Sequence, residues 1–151
     1  MVVWCGSTEA FQEHPDFLSD LAAFEKALEY SKIRVQGAVP IIQHANIAIK
    51  LAEMYTGLRA GQLMIRKGCW QVDHPEHYDP VFARCIKPFC SEVSMRVTLA
   101  ALNMHGGSGA MKDVGMEKLV RDAMMFLHSD GMNDTLNRGN GDLLGKISFV
   151  R

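Results

Sequence analysis

Between residues 81 and 104, apolar side chains return every third or fourth position without a miss: Phe82, Ile86, Phe89, Val93, Val97, Ala100 and Met104. That spacing puts them on one face of an α-helix and on no single face of a strand. The same period recurs upstream. Ile47, Leu51, Met54, Leu58, Ile65 and Cys69 form a stripe in a helix predicted over about 45–70, with Gly61 permitting close approach at the gap. At about 1.5 Å per residue such a helix is roughly 40 Å long, which suits a bundle of long helices. Phe17, Leu21, Phe24 and Leu28 mark a first helix, opened by Pro15 and running to about residue 34. Met116, Leu119, Val120, Ala123 and Leu127 mark a shorter one over about 115–127. An amphipathic helix must bury its stripe against another element. Long helices joined by short turns therefore predict an all-α chain, an antiparallel up-down four-helix bundle of long helices.

The breaks between these patterns are chemically explicit. Gly37 and Pro40 close the first helix, and Pro40-Ile41-Ile42 reads as a short connector. Residues 72–78 form a polar turn, after which Asp79-Pro80 supplies an N-cap and a first-turn proline. Pro88 lies within the third pattern; the hydrogen bond it deletes predicts a kink or a later start. Gly139-Asn140-Gly141 should break any further long helix. Residues 1–14 carry no period, so the expected division is 1–14 as a segment of unclear structure and 15–151 as the helical domain. No β-alternation or internal repeat appears.

Composition narrows the function classes. The formal charge of -1 gives no basic excess, which argues against nucleic acid or an anionic membrane as partner. No apolar run reaches the length of a membrane span, and the first residues lack the basic start and apolar stretch of a leader. The 4 cysteines form no CxxC pair, the usage of an intracellular chain with reduced thiols, and a cytoplasmic location is expected. His74-Pro75-Glu76-His77 has HxxH spacing, but a proline lies inside it and no further ligands stand nearby. A solvated loop is expected there, and no metal. The 10 methionines fit irregular gaps in a core.

One stretch calls for more than packing. His105-Gly106-Gly107-Ser108-Gly109 lies between two helical patterns, and three glycines in four positions leave the backbone open to something large. It stands in an ordered series. The series opens at Tyr30-Ser31-Lys32-Ile33-Arg34-Val35-Gln36-Gly37-Ala38-Val39-Pro40-Ile41 and continues through Leu51-Ala52-Glu53-Met54 and Ser91-Glu92-Val93-Ser94-Met95-Arg96-Val97. Asn103-Met104-His105-Gly106-Gly107 and Glu117-Lys118-Leu119-Val120-Arg121-Asp122-Ala123 then follow in register. Over roughly residues 24–133 this order resembles the C-terminal helical domain of the acyl-CoA dehydrogenase superfamily.

The resemblance implies a helical bundle at the heart of a homo-oligomer, a dimer or tetramer, that binds FAD against a β-domain and a neighbouring bundle. It implies an oxidoreductase of fatty acid metabolism. A carboxylate removes the α-proton of an acyl-CoA, the β-hydrogen leaves as hydride to FAD, and electron-transfer flavoprotein takes the electrons onward. Carried over position by position, Arg34 holds the FAD diphosphate, where a cationic donor fork suits the charge. Asn103, Gly106 and Gly107 lie against the diphosphate end, with Asn103 standing where the family usually has Gln. The base position falls on Asp130, in Ser129-Asp130-Gly131-Met132, where many relatives carry Glu. Nitroalkane oxidases, a branch of the superfamily, use Asp there. The chain departs from the pattern at Gly37, which replaces an aromatic, at Ala38, which replaces a glycine, at Met132, which replaces a threonine, and at Gly139 to Gly141 in the usual last helix. Nothing corresponds to the family's N-terminal helical domain or β-domain. The expectation is therefore a C-terminal domain that is inactive alone. The alternatives are a helical oligomerisation module without catalysis and a nitroalkane-oxidase-like flavoprotein.

Overall fold

The computed structural model describes residues 15–129 and 131–146. Asp130 and the segment 1–14 thus lie outside the described residues. Among the described residues five α-helices form the fold, α1 (Pro15–Ile33), α2 (Ala45–Asp73), α3 (Pro80–His105), α4 (Met116–Phe126) and α5 (Asn133–Leu144). Helix α3 is the spine, packed against each of the other four. Its burial shows why: Val93, Val97, Ala101 and Met104 share a core with Ala23 and Ala27 of α1, Leu51, Met54 and Leu58 of α2 and Met116 of α4.

Helix α3 begins where the sequence places it. The Asp79 carboxylate accepts from the amides of Val81 at 2.9 Å and Phe82 at 3.1 Å, satisfying two of the first-turn donors. The helix then runs unbroken through Pro88, which is buried, so the later start expected there does not occur. Helices α2 and α3 come close through glycine. A Cβ on Gly57 would lie 3.2 Å from Val93, and one on Gly68 2.4 Å from Ile86.

Helix α1 keeps its bounds but not its stripe. Phe17 lies outside the residues whose burial is described; among the rest of the helix the deepest are Asp20, Ala23, Ala27 and Ser31, while Leu21, Phe24 and Leu28 are half-buried shoulders. The small side chains let α1 approach α3, and the Asp20 carboxylate accepts from the Ser94 hydroxyl at 2.5 Å. The connector after α1 is a hairpin. Two-residue strands, β1 (Val35–Gln36) and β2 (Val39–Pro40), pair antiparallel around Gly37 and Ala38, at φ 62 and 69. A two-residue loop of type I′, whose twist suits its strands, needs positive φ at both positions. Glycine adopts that freely, and alanine does so at a cost of about 1 kcal/mol.

The expected break at Gly139-Asn140-Gly141 is wrong: all three lie inside α5. Tertiary packing overrides the local preference. The Arg84 guanidinium occupies the space a Cβ on Gly139 would fill, 2.2 Å from its nearest nitrogen. The buried Asn140 amide donates to the Cys85 thiol at 3.3 Å. The bundle thus has a fifth helix laid on α3.

Candidate functional site

Helices α1 and α3 run the same way, so both carry their C-termini to one end of the bundle. There the Tyr30 ring stacks on His105, with centroids 4.3 Å apart and planes at 25°. His105 is buried, and its Nδ1–H donates to the Ala101 carbonyl at 2.8 Å, which fixes both tautomer and ring plane. This stack sets the hairpin that follows α1 beside the glycine turn that follows α3. Arg34 opens the hairpin; its amide donates to Tyr30 O and its carbonyl accepts from Ile41, at 2.9 and 2.8 Å. Its side chain is exposed.

The turn itself is a 3-10 segment, Gly106–Ala110. Gly106 leaves α3 at φ 59, a conformation that favours glycine, and its amide closes onto the Asn103 carbonyl. Ser108 returns a hydroxyl to His105 O at 2.6 Å. The glycines divide by role. A Cβ on Gly109 would lie 2.6 Å from the Leu102 carbonyl oxygen, so Gly109 serves the fold. Beyond their chain neighbours, nothing lies within 4 Å of a Cβ built on Gly106 or Gly107, and both are exposed together with Asn103. No packing among the described residues asks for glycine at 107. The bare backbone there, with the Asn103 amide and the Arg34 guanidinium at the same end, has the chemistry to receive an extended anion. Helix α4 starts at this end too, tied down by Lys26 donating to Val114 O at 3.0 Å.

Toward the opposite end of α3 lie residues that flank position 130. Asp130 lies outside the described residues, but its chain neighbours do not. The Lys87 ammonium donates to Gly131 O at 2.7 Å, Asn133 Oδ1 at 2.8 Å and Leu127 O at 3.4 Å. Lys87 and Asn103 are sixteen positions apart on α3, on the order of 20 Å. Arg34, Asn103, Gly106 and Gly107 therefore lie toward the end of the bundle that the Tyr30–His105 stack joins, and Leu127, Gly131 and Asn133 lie toward the other. Tyr30 and His105, which join the two segments, stand in the quoted series but were given no role there, and Lys87 lies outside it; their contacts cross 75 and 44 positions of chain.

The HxxH pair forms no metal cluster among the described residues. His74 and His77 instead stack on Trp70, at 4.5 and 5.2 Å. Nor, among the described residues, is any helix long and apolar enough to cross a membrane.

Comparison with known proteins decides the family. The profile of the family described as acyl-CoA dehydrogenase, C-terminal domain, matches residues 21–138. This chain belongs to that family. It is 34% identical over 113 residues to a probable acyl-CoA dehydrogenase, YngJ, of Bacillus subtilis (strain 168), covering 75% of the chain and 30% of the relative. It is 35% identical over 126 residues to a 3-sulfinopropanoyl-CoA desulfinase of Paraburkholderia xenovorans (strain LB400), covering 82% and 32%. Among solved structures, butyryl-CoA dehydrogenase from Megasphaera elsdenii superposes with a TM-score of 0.80 at 29% identity, over 85% of the chain and 33% of that protein. The chain thus spans about a third of the length of the acyl-CoA dehydrogenase relatives it matches.

Proposed function

We propose that this acyl-CoA dehydrogenase domain, residues 15–151, is the flavin-binding and base-carrying part of an FAD-dependent enzyme that introduces an α,β double bond into an acyl-CoA. The observation that carries the reading is Gly107: an exposed glycine with no packing partner, in a turn set beside Arg34 by the Tyr30–His105 stack. The open backbone fits an FAD diphosphate. FAD supplies the hydride acceptor. Arg34 provides the counter-charge, Asn103 an amide donor, and Gly106 and Gly107 the room for approach. Asp130 accepts the α-proton. The residues flanking position 130 and the glycine turn lie toward opposite ends of α3, so on this reading one bundle contributes its two ends to different parts of the assembled protein. That separation supports a homo-oligomer, dimer or tetramer. So do the large apolar side chains left exposed, among them Ile49 at 58%, Leu63 at 64% and Met125 at 65%. The same reading makes electron-transfer flavoprotein the electron acceptor, gives the chain no turnover without the remaining walls of the site, and places it in the cytoplasm.

The desulfinase relative shows that a domain this similar also serves a thioester enzyme named for another reaction, so chemistry is read from the base. The test uses Asp130→Asn in the protein that carries this chain. The amide is nearly isosteric and accepts no proton, so flavin and acyl-CoA should still bind while flavin bleaching in anaerobic stopped flow disappears. Undiminished bleaching would remove Asp130 from the mechanism.

A further inference from the structure

We propose that Lys87 is a positioning residue: its ammonium sets the backbone of the α4–α5 turn and thereby aims the side chain at position 130. The proposal rests on reading Asp130 as the base. Three acceptors that Lys87 reaches straddle that position, with Leu127 O before it and Gly131 O and Asn133 Oδ1 after it. An ammonium is a pure donor with three hydrogens, so one side chain can hold all three acceptors at once.

The far end of the grip is fixed as well. Asn133 donates through Nδ2 to Ser91 Oγ at 2.9 Å, and the Ser91 hydroxyl donates to Pro88 O at 3.1 Å. Ser91 is 5% exposed, so this chain of bonds is anchored in the body of α3. Leu127 closes α4, and a cation at that end also opposes the negative pole of the helix. Gly131 at φ 106 lets the backbone turn sharply between the two held points. A plain brace would need one contact. Here contacts fall on both sides of a single residue whose carboxylate, as the proposed base, tolerates little displacement.

Two measurements on the protein that carries this chain separate the clamp from the reading it rests on. The first is hydrogen–deuterium exchange without flavin. In Lys87→Met the amides of the α4–α5 turn should exchange at least about tenfold faster, the factor one charge-assisted hydrogen bond is worth. Those of the α2–α3 core should not change, and Lys87→Arg, which keeps the donors, should restore slow exchange. Unchanged turn exchange in Lys87→Met overturns the clamp. The second is flavin reduction by acyl-CoA in the flavin-loaded protein. Lys87→Met should lower the maximal rate about tenfold or more and leave the half-saturating acyl-CoA concentration unchanged, with recovery in Lys87→Arg. Faster turn exchange with an unaltered rate overturns the positioning role, and so does a loss that arginine does not recover. If the unaltered protein reduces no flavin with any acyl-CoA, the catalytic reading fails and the aim at position 130 fails with it. The exchange result then decides the clamp by itself.

Discussion

Gly107→Ala separates what the fold requires from what an outside group requires. Beyond its chain neighbours, a Cβ at 107 meets none of the described residues within 4 Å, and the residue has no positive φ. Alanine there brings neither clash nor strain, and by restricting the unfolded chain it should stabilise by about 0.4–1 kcal/mol. Two neighbours serve as controls. Gly106→Ala meets the same open space but at φ 59 and ψ -141, outside the left-handed helical basin in a region that side chains avoid, at a cost of about 1–3 kcal/mol. Gly109→Ala drives a methyl to 2.6 Å from a backbone oxygen that cannot turn aside, so it should cost about 1–3 kcal/mol or more. If a diphosphate lies against the 107 backbone, the methyl lengthens at least one charge-assisted hydrogen bond, worth about 1.5–3 kcal/mol. Flavin affinity should then fall about tenfold to a hundredfold. Thermal unfolding of the three variants gives the first column, and titration of the flavin-free protein with FAD gives the second. A stable Gly107→Ala protein with unchanged FAD affinity would refute the reasoning, because nothing would then approach the bare backbone of the glycine turn at 107.

Two further substitutions test local claims. Ala38→Gly should raise stability by about 0.5–1 kcal/mol, since Ala38 sits at φ 69, and a melting temperature equal to or below that of the unaltered chain would show the turn to be unstrained. Asp79→Ala should lower stability by about 1 kcal/mol through loss of the two amide contacts at the start of α3, read as a shift in the urea midpoint at constant slope.

Helices α2 and α3 were legible in extent from their long apolar stripes, which in α2 bury Leu51, Met54, Leu58 and Cys69; in α3 Val93, Val97 and Met104 are buried, while Phe82, Ile86, Phe89 and Ala100 are half-buried and Ser94, Thr98 and Ala101 lie deeper. Helix α1 was legible in extent but not in face. Its contact with α3 is made by Ala23, Ala27 and Ser31, which carry little hydrophobic signal, and the flanking Phe24 and Leu28 carry most of it. Helix α5 was illegible because its glycines are locally breakers; only the third dimension brings Arg84 over Gly139 and Cys85 to Asn140. The hairpin at Gly37-Ala38 has strands of two residues, too short for any alternation to show. The site divides the same way. Arg34 and the glycine turn stand in an ordered series that can be read along the chain. The Tyr30–His105 stack that joins them, and the Lys87 contacts that hold the far turn, are products of folding and leave no mark in local sequence.

The choice of aspartate at 130 makes the last prediction. Glutamate would carry the carboxylate about 1.5 Å further along the same line. A loose turn would fall back to absorb that length. This turn is gripped on both sides by Lys87, pivots on Gly131 at φ 106, and is tied through Asn133 to the buried Ser91. It has little freedom to retreat, so the extra methylene should displace the base. Asp130→Glu should therefore slow flavin reduction by about tenfold to a hundredfold, with acyl-CoA binding intact. The comparison is of maximal bleaching rates at saturating acyl-CoA. Loosening the grip in Asp130→Glu with Lys87→Met should cost less than the product of the single losses, since the turn could then yield. A faster reaction with glutamate would mean that the surrounding walls are shaped for the longer acid, and that the clamped turn does not set the reach of the base.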